Sequence, residues 1–159
     1  MRVDELMTRP VATCTATDPL NRAAQIMWDQ DCGCVPVIDE NDRPIAMITD
    51  RDVCMAAYTR GKSLGDISVH EAMSRNVVAC RADDSVSSAE SMMRGQQIRR
   101  LPVVDDDGRI IGILSLNDIA THVHAKKPNV FSGRDELGSE AIASTLSAIC
   151  THASVQAAE

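Results

Sequence analysis

The sequence predicts an α/β fold made of two copies of one strand–helix–strand–strand–helix unit, followed by a short C-terminal helix. Two observations carry that prediction. Residues 5–53 align without a gap on residues 71–119, and sixteen of the 49 pairs are identical, among them Pro36/Pro102, Val37/Val103, Asp39/Asp105 and Asp52/Asp118. A match of that density at a fixed 66-residue offset marks a duplicated structural unit. Within each copy, short runs of β-favouring apolar residues alternate with apolar stripes of helical period. Each copy is about 55 residues, too few to bury a good core alone, so the halves are expected to pack together.

Taken in order, Val11 to Cys14 and Val77 to Cys80 read as the first strand of each unit. Asp18-Pro19 reads as a helix N-cap with proline at the first helical position, and Leu20, Ala23, Ala24 and Met27 make the buried stripe of the helix that follows. The second copy keeps the stripe with Val86, Ala89 and Met93. Val35-Pro36-Val37-Ile38 and Leu101-Pro102-Val103-Val104 are the next strands, with proline expected at a strand start or edge. The runs 39–43 and 105–109 are hairpin turns, whose carboxylates lack the spacing of a calcium loop. The division expected is 1–62 for the first unit, 63–125 for the second and 126–159 for a tail. In that tail Ile142, Leu146 and Ile149 share one face of a short helix that covers either the pair's own surface or a partner chain.

Composition narrows the function. The 159 residues carry 44% apolar side chains but three aromatics, Trp28, Tyr58 and Phe131, so the core is expected to be aliphatic. A net charge of −7, no basic run and no aromatic platform argue against a nucleic-acid partner. The amino terminus is charged where a signal peptide would turn apolar, and no apolar run reaches the ~18 residues of a membrane span, so a cytoplasmic location is expected. Six scattered cysteines then default to reduced thiols. Cys32-Gly33-Cys34 is too short for a zinc knuckle, the histidines lack metal-ligand spacing, and no metal is expected. No nucleophile elbow, P-loop or catalytic carboxylate pair appears, which argues against an enzyme.

The informative stretches are two strand-to-helix corners. Ala46 to Asp52 runs from an apolar strand into Thr49 and then, three residues on, Asp52; Gly112 to Asp118 repeats it with Ser115 and Asp118. The first turn of a helix offers unpaired backbone donors and partial positive charge, which favour a phosphate. A carboxylate one turn later can accept ribose hydroxyls. A hydroxyl followed by Asp at plus three is also an ordinary helix cap. Duplication in register is what favours the ribose-phosphate reading.

Together with the strands that precede them, these doubled corners make the chain resemble a tandem pair of CBS (cystathionine-β-synthase) domains, over residues 4–125. The stand-alone layout is similar to small bacterial CBS-pair proteins, including those of hypoxic-response type. The resemblance implies two small sheets packed about a pseudo-twofold axis, a homodimer, and clefts between the halves for adenosine ligands such as AMP, ADP, ATP, NAD or S-adenosylmethionine. Carried over by position, one cleft takes phosphate contacts from Ser115, Arg99 and Arg100, with Asn117 beside them. Ribose contacts come from Asp118, and adenine lies near Ala12, Cys32 and Gly33. The other cleft uses Thr49, Arg51 and Asp52, with Val78 and Ile98 near the base. Arg99-Arg100 aligns with Gly33-Cys34, so the Asp118 cleft is expected to hold phosphate more tightly. Ala46 in place of Gly112 leaves less room beside the first corner. Two other readings stand beside the ligand-binding regulatory module: a thiol-based redox sensor using Cys32 and Cys34, and a structural oligomer with empty clefts.

Overall fold

The computed structural model describes residues 1–125 and 139–150. The polar stretch 126–138 and the last nine residues, with His152, lie outside them. The first half comprises β1 (Cys14–Thr15), α1 (Leu20–Asp29), β2 (Cys34–Ile38), β3 (Pro44–Thr49) and α2 (Asp50–Arg60). The second repeats it as β4 (Cys80–Arg81), α3 (Val86–Gln96), β5 (Arg100–Val104), β6 (Ile110–Ser115) and α4 (Leu116–Ala125), and α5 (Ser139–Cys150) follows. Each half holds one three-stranded sheet, ordered β1-β2-β3 or β4-β5-β6, with the outer pairs parallel and antiparallel respectively.

The register matches between the halves position by position. Cys14 pairs with Val37 and Cys80 with Val103; Pro36 pairs with Met47 and Pro102 with Ile113. Each proline therefore sits inside the central strand, not at a start or edge. The sheet tolerates it because β1 covers Val37 and Ile38 only, so the proline lies beyond the end of its neighbour, where no ladder donor is required. The first strands are also shorter than expected, two residues each, and Val11 leaves the sheet to line a cleft.

The helix starts differ from the expected caps. Asp18 is not the cap: its carboxylate accepts from Thr15 N at 2.7 Å, closing the turn after β1, and α1 begins at Leu20. The Leu20 N–H donates instead to Ile67 O at 2.8 Å, and the Val86 N–H of α3 donates to Met1 O at 3.1 Å. Both carbonyls come from the opposite half.

That exchange is general. The segment before each unit packs not on its own half but on the other. Val3 and Met7 belong to the core made by β4–β6, α3 and α4, whereas Ile67 and Val69 belong to the core made by β1–β3, α1 and α2. Thr8 exchanges backbone hydrogen bonds with Ile113 at 2.9 and 3.1 Å, extending the outer edge of β6. Ser74, its repeat-mate, does the same for β3: its N–H donates to Met47 O at 2.8 Å and its Oγ accepts from Met47 N at 2.9 Å. Residues 1–8 and 67–74 thus act as crossed straps.

Both cores are built from aliphatic, Ala, Met and Cys side chains, and Trp28 and Tyr58 stand 85% and 82% exposed. α5 covers the second half: Ile142 and Ile149 pack on its core, and the Arg94 guanidinium donates to Thr145 Oγ1 at 3.0 Å. The expected third member of its apolar face, Leu146, is 45% exposed, and Thr145 is buried in its place. The buried stripe runs one residue earlier because Arg94 supplies a partner for the hydroxyl.

Candidate functional site

A cavity of about 390 Å³ opens where the two halves meet. From the second half Arg100, Ser115, Asn117 and Asp118 line it; from the first half, Ala12, Cys32 and Gly33 do. Seven of the residues expected to contact a ligand therefore converge on one crevice, although they span more than a hundred positions of chain.

The corner beneath it is a helix cap. Asp118 Oδ2 accepts from Ser115 N at 2.7 Å and Ser115 Oγ at 2.6 Å, while Ser115 Oγ accepts from Asp118 N at 3.2 Å. Asp52 and Thr49 build the same box at 2.9, 2.6 and 3.2 Å. Capping and ligand reading are thus compatible: the cap takes one carboxylate oxygen and holds the other in a fixed direction. At Asp118 that second oxygen, Oδ1, receives the Thr8 hydroxyl at 3.5 Å. Paired ribose hydroxyls would have to share Oδ1 with Thr8, Oδ2 being taken by the cap.

Of the two arginines, Arg100 lines the cavity and Arg99 does not. The Arg99 side chain is exposed, and its carbonyl accepts from Leu116 N at 2.9 Å. Arg99 precedes β5 and Arg100 is its first residue, and only the second guanidinium stands in the wall of the crevice. Thr49, Arg51, Asp52, Val78 and Ile98 do not line this cavity, nor the neighbouring one that shares Pro10 and Val11 with it. Val78 and Ile98 pack against the second core, and Arg51 is exposed, its N–H donating to Asp50 Oδ1 at 2.7 Å.

Gly112 is buried, but the close approach it permits is not to the cleft. A Cβ there would lie 2.7 Å from Met7 Sδ and 3.1 Å from Thr8 O, so the glycine admits the crossing strap. Ala46 raises no such conflict on the other side, where it is fully buried in the first core.

The cavity also takes Thr8 and Asp31, which sequence reasoning missed, and Cys34, which it weighed only for thiol chemistry. Thr8 and Ser74 are hydroxyls at the same 66-residue offset, a signal that could have found the first of them. Cys34 is buried, and burial pushes its thiol up to about 11 despite the opposing pull of the Arg100 guanidinium. Cys32 is exposed, with its Sγ donating to Cys34 O at 3.3 Å. Among the described residues no group of three His, Cys, Asp or Glu side chains is placed to hold a metal, and no helix is long and apolar enough to cross a membrane.

The family model for the CBS domain matches the chain twice, over residues 3–58 and 64–125. The chain belongs to the CBS-domain family. It is 35% identical over 117 residues to the uncharacterized protein MK0525 of Methanopyrus kandleri, covering 74% of this chain and 60% of that one. The CBS domain-containing protein YhcV of Bacillus subtilis is 33% identical over 120 residues, 76% of this chain and 84% of YhcV. An inosine-5'-monophosphate dehydrogenase of Methanocaldococcus jannaschii matches at 32% over 118 residues, 74% of this chain but 23% of the enzyme. The relatives are thus bacterial and archaeal, and the chain spans anything from a quarter to most of their length.

Among solved structures, the CBS domain pair of protein MJ0100, in complex with 5'-methylthioadenosine and S-adenosyl-L-methionine, superposes with a TM-score of 0.71 at 28% identity, covering 80% of this chain and 98% of that one. The AMP complex of the CBS domain protein PAE2072 from Pyrobaculum aerophilum gives 0.68 at 25%, covering 75% and 90%. Hypoxic Response Protein I, with two coordinated zinc ions, gives 0.69 at 28%, covering 77% and 98%. The paired-repeat α/β fold with its added C-terminal helix therefore stands as expected.

Proposed function

We propose that this chain is a non-catalytic regulatory module that takes an adenosine-containing ligand in the Asp118 cleft. The observation that carries the reading is the convergence of Ala12, Cys32 and Gly33 with Arg100, Ser115, Asn117 and Asp118 on one cavity, with the Asp118 carboxylate held by its cap. CBS pairs of similar fold hold AMP, or 5'-methylthioadenosine and S-adenosyl-L-methionine, which supports an adenosine scaffold over other ligands. Binding across the seam changes the protein only through unequal affinity for its alternative arrangements, so the response is a population shift between the halves.

The units act as 1–62 and 63–125, with 126–159 as an appended segment, and a homodimer forms through the exposed helices α1 and α2, where Trp28 and Tyr58 offer large uncovered side chains. The proposed location is the cytoplasm. Calorimetric titration of the full chain with AMP, ADP, ATP, NAD and S-adenosylmethionine, beside a thermal-shift series, tests the ligand class. Saturable heat with at least one of them is the expected result; no heat and no shift at millimolar ligand would refute the assignment.

A further inference from the structure

Resting on the adenosine reading, we infer that the Asp118 cleft selects by charge: it takes an adenosine ligand with one phosphate or none and discriminates against polyphosphates, with Asp50 as the selecting residue.

Among the described residues lining the cavity, Arg100 is the one cation, and Asp31 and Asp118 are carboxylates. A third carboxylate stands directly behind the wall. The Cβ position of Gly33 lies 3.2 Å from Asp50 Oδ2 and 3.4 Å from Arg100 Nη2, so the carboxylate of the first half and the guanidinium of the second approach the same glycine. A side chain at position 33 would crowd both. The same two charges reach Cys34, whose thiolate is favoured by Arg100 and disfavoured by Cys32 and Asp50.

Asp50 also alters the helix end on which an anion would rest. It is the first residue of α2, and its Oδ1 already accepts from Arg51 N at 2.7 Å, so the carboxylate occupies a backbone donor that a phosphate would need. Its repeat-mate at the head of α4 is Leu116, which is buried and neutral. At the head of α4 Leu116 N donates to Arg99 O and Asp118 N to Ser115 Oγ, but no carboxylate stands at position 116, whereas across the seam the Asp50 carboxylate approaches the same glycine as Arg100.

One guanidinium can grip one phosphate in a fork. A second and third phosphate would add negative charge with no further cation in the lining, beside the carboxylates of Asp31 and Asp118 and with Asp50 behind Gly33; like charges oppose binding. A neutral or cationic group at the ribose 5' position meets the opposite balance.

The test is equilibrium titration of the full chain at low salt and without divalent cations, using adenosine, AMP, ADP and ATP, in the parent and in Asp50→Asn. Asn keeps the oxygen that caps Arg51 N and removes the charge. In the parent, ATP is expected to bind at least about tenfold more weakly than AMP. In Asp50→Asn that ratio narrows by about threefold to tenfold while adenosine affinity stays within about twofold, and 1 M salt narrows it in the parent as well. ATP binding as tightly as AMP in the parent, or an unchanged ATP-to-AMP ratio in Asp50→Asn, overturns the charge selection and leaves the adenosine reading standing. Failure of all four compounds to bind overturns the adenosine reading, and the selection with it.

Discussion

Placing one methyl group at Gly112 tests how tightly the crossing strap is held. The residue lies in β6 opposite Val103, buried, and an added Cβ would meet Met7 Sδ at 2.7 Å, Met7 Cγ at 3.2 Å and Thr8 O at 3.1 Å. Either the Met7 side chain leaves its place in the second core, or the strap lifts and stretches the two Thr8–Ile113 hydrogen bonds. Overpacking of this kind costs about 1–3 kcal/mol, and two weakened backbone bonds add about 1 kcal/mol. Gly112→Ala is therefore expected to destabilise by about 2–4 kcal/mol, a fall of about 5–15 °C in Tm for a chain of this length. Ala46→Gly, the mirror change, should lose about 1–2 kcal/mol through backbone entropy and the loss of one buried methyl. Differential scanning calorimetry of both variants, with Met7→Ala in each background, separates steric conflict from propensity: Met7→Ala should offset part of the Gly112→Ala loss and none of the Ala46→Gly loss. Because Thr8 also lines the cleft, AMP affinity should fall with stability. A Gly112→Ala protein melting within about 2 °C of the parent would refute the strap argument.

Asp118→Ala and Asp52→Ala should each lose about 1 kcal/mol of helix-cap stability in urea melts, but only Asp118→Ala should weaken AMP by more than about tenfold in the same titration; equal affinities would contradict the assignment to one cleft. Glu90 is buried with its Oε1 lacking a hydrogen-bond partner among the described residues, and burial holds its carboxyl above the ordinary 4.5, opposed in part by Arg94. A carboxyl raised in the folded state binds its proton more tightly there, so parent stability should fall as pH rises from 4.5 through the raised value; Glu90→Gln should lack this fall, and a stability difference independent of pH would refute it. Burial also pushes Cys14 and Cys34 up to about 11 and Cys80 up to about 12. Stability carried by these three thiols is fully present below pH 9 and lost as pH rises toward 12, and maleimide at neutral pH should modify exposed Cys32 and Cys54 well before Cys14, Cys34 or Cys80; early labelling of the buried three would count against the packing.

The duplication, the order of elements and the two strand-to-helix corners were legible because each leaves a local mark: a fixed offset, a period, or a hydroxyl three residues before a carboxylate. The crossing of the straps left none. Val3 and Val69 occupy equivalent positions in the repeat, and an apolar residue there satisfies either core equally well. Pro36 and Pro102 looked like edge residues because the shortness of β1 and β4 is a property of the partner strand, not of the proline. Arg99 and Arg100 looked like a pair, but only Arg100 opens β5 and lines the cavity, while Arg99 precedes the strand with its side chain exposed, a difference that adjacency in the sequence does not reveal. Asp50 went unnoticed for the opposite reason. Its significance comes from Gly33 and Arg100 meeting across the seam, which no periodicity encodes.

Because residues 1–8 complete the second core and residues 67–74 complete the first, neither half is a portable module. A protease nick in the loop around Gly61 should leave the two pieces clasped, each still lending its leading segment to the other. Expressed apart, either piece would lack the lining of one core and the outer edge of one sheet. A chimera that replaces one repeat with a relative's has to carry the matching leading segment along with the half it serves, not with the half it precedes.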